Sequence, residues 1–249
     1  HVLTTLIKEC KEKGVQFVHD FEVHNINVNS ITSTNGHSLQ YDFLINAAGG
    51  YSLKLSRSAG INTDYAILPF KGLYLKSKKK FSGFKRHIYP VPNPKQTFLG
   101  IHTTLTFDGF LKLGPTAIPV LSPENYTLFQ RLTIDDLLEV VPLHVSLFLL
   151  NSFGFRDLAL QEVRNIMKSQ IVKSANNLLK CTLSSDDFDW YSPGIRAQLF
   201  DKKRKALVSD FIVNETYNSL HLLNCISPAW TCSLKTSQFV RERMFQKLN

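Results

Sequence analysis

In the stretch YSPGIRAQLF one arginine, Arg196, stands among apolar residues directly after a Pro-Gly turn, apart from the lysine-rich part of the chain. A guanidinium stays charged at any working pH, so a partly enclosed one needs an anion, and its planar fork suits a carboxylate best. His102, in LGIHTTLTFDG, sits on a strand between Gly100 and two threonines. Its imidazole, with a free pKa of about 6.5, can take a proton near neutral pH, although a lone histidine in a sheet serves packing equally well. DFLINAAGGYS leads an apolar strand into Ala47, Ala48, Gly49 and Gly50. Residues this small let the backbone approach a flat or charged ligand, or simply close a tight strand-to-helix turn. In LLNCISPAWTCSL, Ser227 reads as the N-cap and Pro228 as the first-turn residue of a final helix whose N–H groups face the end of the preceding strand. No Ser-His-Asp order, metal-ligand cluster or GxGxxG turn is recognisable in the sequence, which weakens hydrolase and metalloenzyme readings.

The elements that must hold these residues follow from periodicity. HVLTTLIKECKEKG places Leu3, Leu6, Ile7 and Cys10 at helical spacing before Gly14, and VQFVHDFEVHNINVN then switches to a strand period. Asn35-Gly36 signals a hairpin, YDFLINAAGG a short strand, and YSLKLSRSAG a helix closed by Gly60. From Ile67 to Leu113 aromatic and β-branched runs separated by turns predict an antiparallel sheet, and residues 122 to 179 read as several helices. GIRAQLF, ALVSDFIV and LHLLNCIS return to strands before the last helix. The class is α/β in the α+β sense: an α/β piece, an antiparallel sheet carrying inserted helices, and a return to the first piece. Such two-domain crossings bury ligands at the boundary.

Twenty-nine basic against 20 acidic residues give a net charge of +9, and seven of the basic ones fall between Lys71 and Arg86 without an acid. That segment suits a solvated loop or hairpin edge, or peripheral contact with a membrane surface or acidic partner. Nothing resembles a nucleic-acid module. The four cysteines are scattered, as free thiols of an intracellular, reducing compartment would be. VVPLHVSLFLL is too short to span a bilayer and reads as a buried segment or an interfacial hairpin. The chain opens at His1 directly with a helix, as an internal segment of a longer protein would.

Taken in order, YDFLINAAGGYS, LPFKGLY, HIYPVPNP, FLGIHTTLTFDG, KLGPTAI, SPGIRAQLFDKKRKALVSDFIV and LHLLNCISPAWTCSL resemble the L-2-hydroxyglutarate dehydrogenase/oxidase family, part of the D-amino-acid-oxidase-like flavoproteins. The resemblance implies FAD as cofactor and a 2-hydroxy dicarboxylate as substrate, oxidised by hydride transfer to the flavin. It implies a discontinuous, incomplete Rossmann-like FAD domain over residues 1–66 and 194–249 and a substrate domain over 67–193. By the same resemblance Arg196 holds the substrate carboxylate and His102 is the base. Val23, Ala48, Gly49, Ser227 and Pro228 then contact the cofactor. The chain departs from the pattern in lacking the N-terminal phosphate-binding turn, in carrying Leu73 where an acid is usual, and in placing Cys225, Trp230 and Cys232 where small residues are usual. Two rival readings stay open: an amino-acid or amine oxidase, and a non-catalytic chain that binds a partner or completes another chain. A mitochondrial and a bacterial setting, cytoplasmic or membrane-associated, are equally compatible.

Overall fold

The computed structural model describes residues 1–91, 98, 100–127, 132–225 and 229–248. Helix α1 (Val2–Glu12) ends at Gly14, whose φ of +86° turns the chain away. Strands β1 (Val23–Ile26), β2 (Ser30–Ser33) and β3 (Ser38–Gln40) form a small antiparallel sheet with Gly36 in the expected hairpin turn. The extended pattern over residues 15 to 22 does not become a strand: Val15, Phe17 and Val18 are exposed, and only β1 finds a partner. After β4 (Leu44–Asn46) comes α2 (Ser52–Ser58), closed at Gly60 as the sequence suggests.

The main sheet is built on β5 (Tyr65–Lys80), followed by β6 (His102–Leu105), β7 (Phe110–Gly114) and the short β8 (Ile118–Pro119). Helices α3 (Ile134–Leu150), α4 (Phe155–Arg164) and α5 (Lys168–Asn176) intervene before β9 (Phe188–Asp201) and β10 (Ala206–Leu207) complete it. Its order is β10-β9-β5-β7-β6 with β8 also on β5, antiparallel throughout. β5 is therefore a central strand, which corrects the hairpin-edge reading for its paired part up to Ser77, while residues 81–86 form the solvated loop that the sequence allowed. Lys76 folds over the Phe110 ring, 4.2 Å from its centroid, while Lys78, Lys79 and Lys80 at the end of β5 and Lys85 and Arg86 beyond it stand in solvent. The expected domain limits at 66/67 and 193/194 fall inside β5 and β9.

Strands β11 (Ile212–Glu215) and β12 (Ser219–Asn224) join β4 in a third sheet, order β11-β12-β4, with β12 and β4 parallel. Among the described residues nothing pairs with the other edge of β4, and Ile45 there is 43% exposed. Beside it an apolar hollow of about 410 Å³ opens between β4, β12 and α6 (Ala229–Leu248), lined by Ile45, Leu222, Val240 and Met244.

Four apolar clusters among the described residues fix this arrangement, one of them joining Leu220 and Leu222 of β12 to Val240 of α6. Leu75, Leu111, Leu113 and Phe188 bury one face of the main sheet against Ile171, Val172 and Ala175 of α5. Leu68, Phe70 and Phe200 pack with Leu147 of α3 and Phe155 of α4. Leu53 of α2 joins Leu199 to Leu223 and so ties the main sheet to the third. Each buried leucine, isoleucine, valine or phenylalanine among them contributes roughly 1.5–3 kcal/mol.

Helix α3 starts on a capping box, Thr133 with Asp136, and Arg57 anchors it to α2 through Glu139 at 2.9 and 3.0 Å. VVPLHVSLFLL lies in this helix, half packed: Val140 and Leu147 are buried while Val145, Leu149 and Leu150 face out. No single helix among the described residues is long and apolar enough to cross a membrane.

His144, on the packed side of α3, stacks on Phe155 at 5.5 Å, and its buried Nε2 has no hydrogen-bond partner. Burial lowers its pKa to about 4. The neutral ring is what the fold accepts, so its contribution is complete above an unfolded pKa of about 6.5 and is lost as pH falls from there toward about 4. His144→Leu is expected to remove about 2 kcal/mol of the stability difference between pH 7 and pH 4.5, read by urea denaturation at both. Identical pH dependence in both proteins would mean that the ring is hydrated.

Candidate active site

Strands β5 and β9 pair over twelve positions, among them Phe70 with Arg196 and Gly72 with Gly194. Side chains alternate along a strand, so Arg196 and Phe70 project from the same face, and at the next paired position that face carries no side chain at all. A Cβ at Gly72 would lie 2.7 Å from Pro115 Cβ, so this bare patch is enforced by packing. The α4 region closes the space above it, leaving a cavity of about 730 Å³. Arg196, His102, Tyr74, Tyr89, Phe98 and Glu162 all line it.

Arg196 is half-buried, and among the described residues no carboxylate pairs with it. Its Nε is buried without a hydrogen-bond partner, and the guanidinium leans on the Phe98 ring at 5.4 Å. Burial lowers its pKa below the usual arginine value, yet an arginine remains a cation near neutrality. An unpaired, partly desolvated charge of this kind is costly to fold and gains most from an arriving anion.

His102 contacts the Gly100 carbonyl through Nδ1 at 3.1 Å and stacks at a tilt on Tyr89, centroids 4.5 Å apart. A carbonyl only accepts, so Nδ1 carries the proton and Nε2 keeps a free lone pair. Burial lowers the pKa of His102. The Gly100 hydrogen bond raises it, and the charges of Lys112 and His87 lower it further. The ring is thus neutral and able to accept a proton at neutral pH.

The Ala47–Gly50 turn is held from beneath by a buried polar chain. Asn46 Nδ2 donates to the Ser52 carbonyl at 2.8 Å and to His221 Nδ1 at 3.1 Å, and the Ala48 N–H donates to Asn46 Oδ1 at 3.3 Å. His221, fully buried, therefore donates from Nε2 to Ser219 Oγ at 2.9 Å. Gly49 has a φ of +59°, and a Cβ on Gly50 would lie 3.0 Å from Ala197 Cβ, so the turn touches β9 one residue beyond Arg196.

The structure brings Arg196 and His102 into one cavity and sets Ala48 and Gly49 in a turn beside the same strand. It does not bring Val23 there: Val23 lies on β1, in the separate small sheet, which meets α2 where the Ile26 N–H donates to Ser58 Oγ at 3.3 Å. Ser227 and Pro228 lie outside the described residues. The sequence reading missed Tyr74 and Glu162. Glu162, buried on α4, accepts from the Ala117 N–H at 2.7 Å and from Asn165 at 3.1 Å. Burial raises its pKa despite these bonds. Its only signal was an acid on the packed face of an amphipathic helix.

Known proteins resemble this chain in sequence and in fold. An L-2-hydroxyglutarate dehydrogenase of Indibacter alkaliphilus is 32% identical over 231 residues, covering 89% of this chain and 55% of its own length. The mitochondrial L-2-hydroxyglutarate dehydrogenase of Nematostella vectensis is 30% identical over 227 residues, covering 88% and 48%. The chain thus spans about half the length of the curated relatives it matches. Among solved structures, FAD-bound L-alpha-glycerophosphate oxidase from Mycoplasma pneumoniae superimposes with a TM-score of 0.58 at 20% identity, over 96% of this chain and 53% of that one. The family model described as DAO, FAD dependent oxidoreductase, matches residues 1–242, and the chain belongs to that family.

Proposed function

We propose that this chain supplies the substrate cavity and one wall of the flavin site of an FAD-dependent enzyme that oxidises a 2-hydroxy acid, L-2-hydroxyglutarate to 2-oxoglutarate. The observation that carries the reading is the pairing, in one cavity, of a guanidinium and a neutral histidine Nε2 that have no counter-ion or hydrogen-bond partner among the described residues. The names of the relatives supply the substrate class.

The ring end of a flavin would lie against Gly194, which offers flat backbone beside Arg196, while Pro115 packs over Gly72. For the diphosphate the chain has no GxGxxG turn, and the open edge of β4 with its apolar hollow is where a further strand and helix would add one. Bound there, FAD would accept the hydride. Arg196 would hold the substrate carboxylate through two parallel N–H bonds and so orient the α-carbon. His102 Nε2 would take the hydroxyl proton, and Tyr89 would fix the ring. The exposed residues Lys78, Lys79, Lys80, Lys85 and Arg86 are the part of the lysine-rich segment that a membrane surface could meet.

The test is the visible absorption spectrum of the purified chain with and without added FAD. A retained flavin band means that the ring site suffices, and His102→Gln should then remove the acid limb of the pH profile of turnover. A colourless protein that ignores FAD means that cofactor binding needs the additional strand. In that case the reading survives only if FAD is taken up once a segment carrying that turn is supplied.

A further inference from the structure

Lys112 on β7 lies directly across from Thr104 on β6 and from Lys76 on β5. Two lysines facing each other repel. Lys76 escapes by pairing with Asp108 at 3.0 Å, while Lys112 has no carboxylate among the described residues. Its ammonium instead sits over the Tyr74 ring, 3.6 Å from the centroid, with Tyr191 at 5.1 Å. Ring faces attract a cation but offer no lone pairs, so its three N–H donors are left for something else. Burial also lowers its pKa, the mark of a charge partly stripped of water.

The position matters more than the charge. Tyr74 lines the cavity that holds Arg196, and the alternation of β6 puts Thr104, opposite Lys112, on the same face as His102. Lys112 is close enough to His102 for its charge to be felt there. Arg196 lines this cavity, and Lys112 stands just outside its lining, over the Tyr74 ring; among the described residues neither has a carboxylate partner. A monocarboxylate satisfies one of them.

We propose that Lys112 is the second anion anchor of the cavity, binding the distal carboxylate of a dicarboxylate whose first carboxylate rests on Arg196. This rests on the cavity being the substrate site, and it makes Lys112 the residue that discriminates chain-terminal acids from simple ones.

Glutarate and butyrate differ only in the distal carboxylate, and their affinities for the purified chain can be compared by calorimetry. We expect glutarate to bind about tenfold more tightly, the size of one partly solvated charge pair. Lys112→Met should bring glutarate to the level of butyrate and leave butyrate unchanged, and Lys112→Arg should restore most of the difference. Discrimination that persists in Lys112→Met, or a parallel loss for both acids, overturns the assignment of Lys112. Arg196→Met separates the two layers: if it leaves butyrate binding intact, the cavity reading itself fails. If neither acid binds the unaltered chain, both fail.

Discussion

Arg196→Met is expected to make the ligand-free protein more stable while removing its affinity for carboxylates. In the fold the guanidinium carries a buried Nε without a partner and, among the described residues, a charge without a counter-ion. Methionine fills a similar volume without either debt, and sparing one unsatisfied buried donor is worth about 1–3 kcal/mol. Binding moves the other way. Loss of one partner of a desolvated charge pair costs about 2–5 kcal/mol, roughly 30-fold to several thousandfold in Kd. A thermal melt and a calorimetric titration of the same variant measure both signs. A variant that melts lower and binds as before would mean that Arg196 is a structural residue. The opposed signs matter because a residue kept for packing would show the same sign in both.

Gly114→Ala should be the most damaging small substitution in the main sheet. Gly114 has a φ of +135°, which L side chains avoid, and an added Cβ would lie 2.6 Å from the Leu73 carbonyl oxygen and 2.7 Å from the Tyr74 ring. Backbone strain and overpacking each cost about 1–3 kcal/mol, so about 4 kcal/mol in all is expected. For a chain of this size that lowers Tm by about 10 °C. Gly36→Ala is the control: its φ is +85°, but nothing lies within 4 Å, so only strain of about 1–2 kcal/mol applies. Equal losses at the two sites would show that the Tyr74 ring gives way. The damage should also reach function, because Gly114 pairs directly with His102 and the added methyl group would press on a cavity-lining tyrosine.

Arg196 was legible in the sequence because a charged residue among apolar neighbours after a turn is a local anomaly. The hairpin at Asn35-Gly36 and the ends at Gly14 and Gly60 were legible because each needs a positive φ, a requirement that one residue type meets best. Val15, Phe17 and Val18 misled because alternation marks a strand only where another strand accepts it, and here they remain exposed. The lysines of β5 misled for a related reason. Lysine suits an edge, but in this sheet Lys76 and Lys112 curl over Phe110 and Tyr74, rings supplied by other strands. Tyr74 and Glu162 reach the cavity only through cross-strand register and helix packing, so no local spacing announces them.

The long pairing of β5 with β9 has a consequence for evolution as well as for chemistry. Consecutive residues of β9 serve different neighbours: Arg196 faces the cavity, and Ala197 meets Gly50 of the small-residue turn. Inserting or deleting one residue in β9 upstream of Arg196 would exchange their faces, turning the guanidinium away and a methyl group in. Substitutions can drift along this strand and leave a working site, but length changes there cannot, so β9 should tolerate point changes far better than indels.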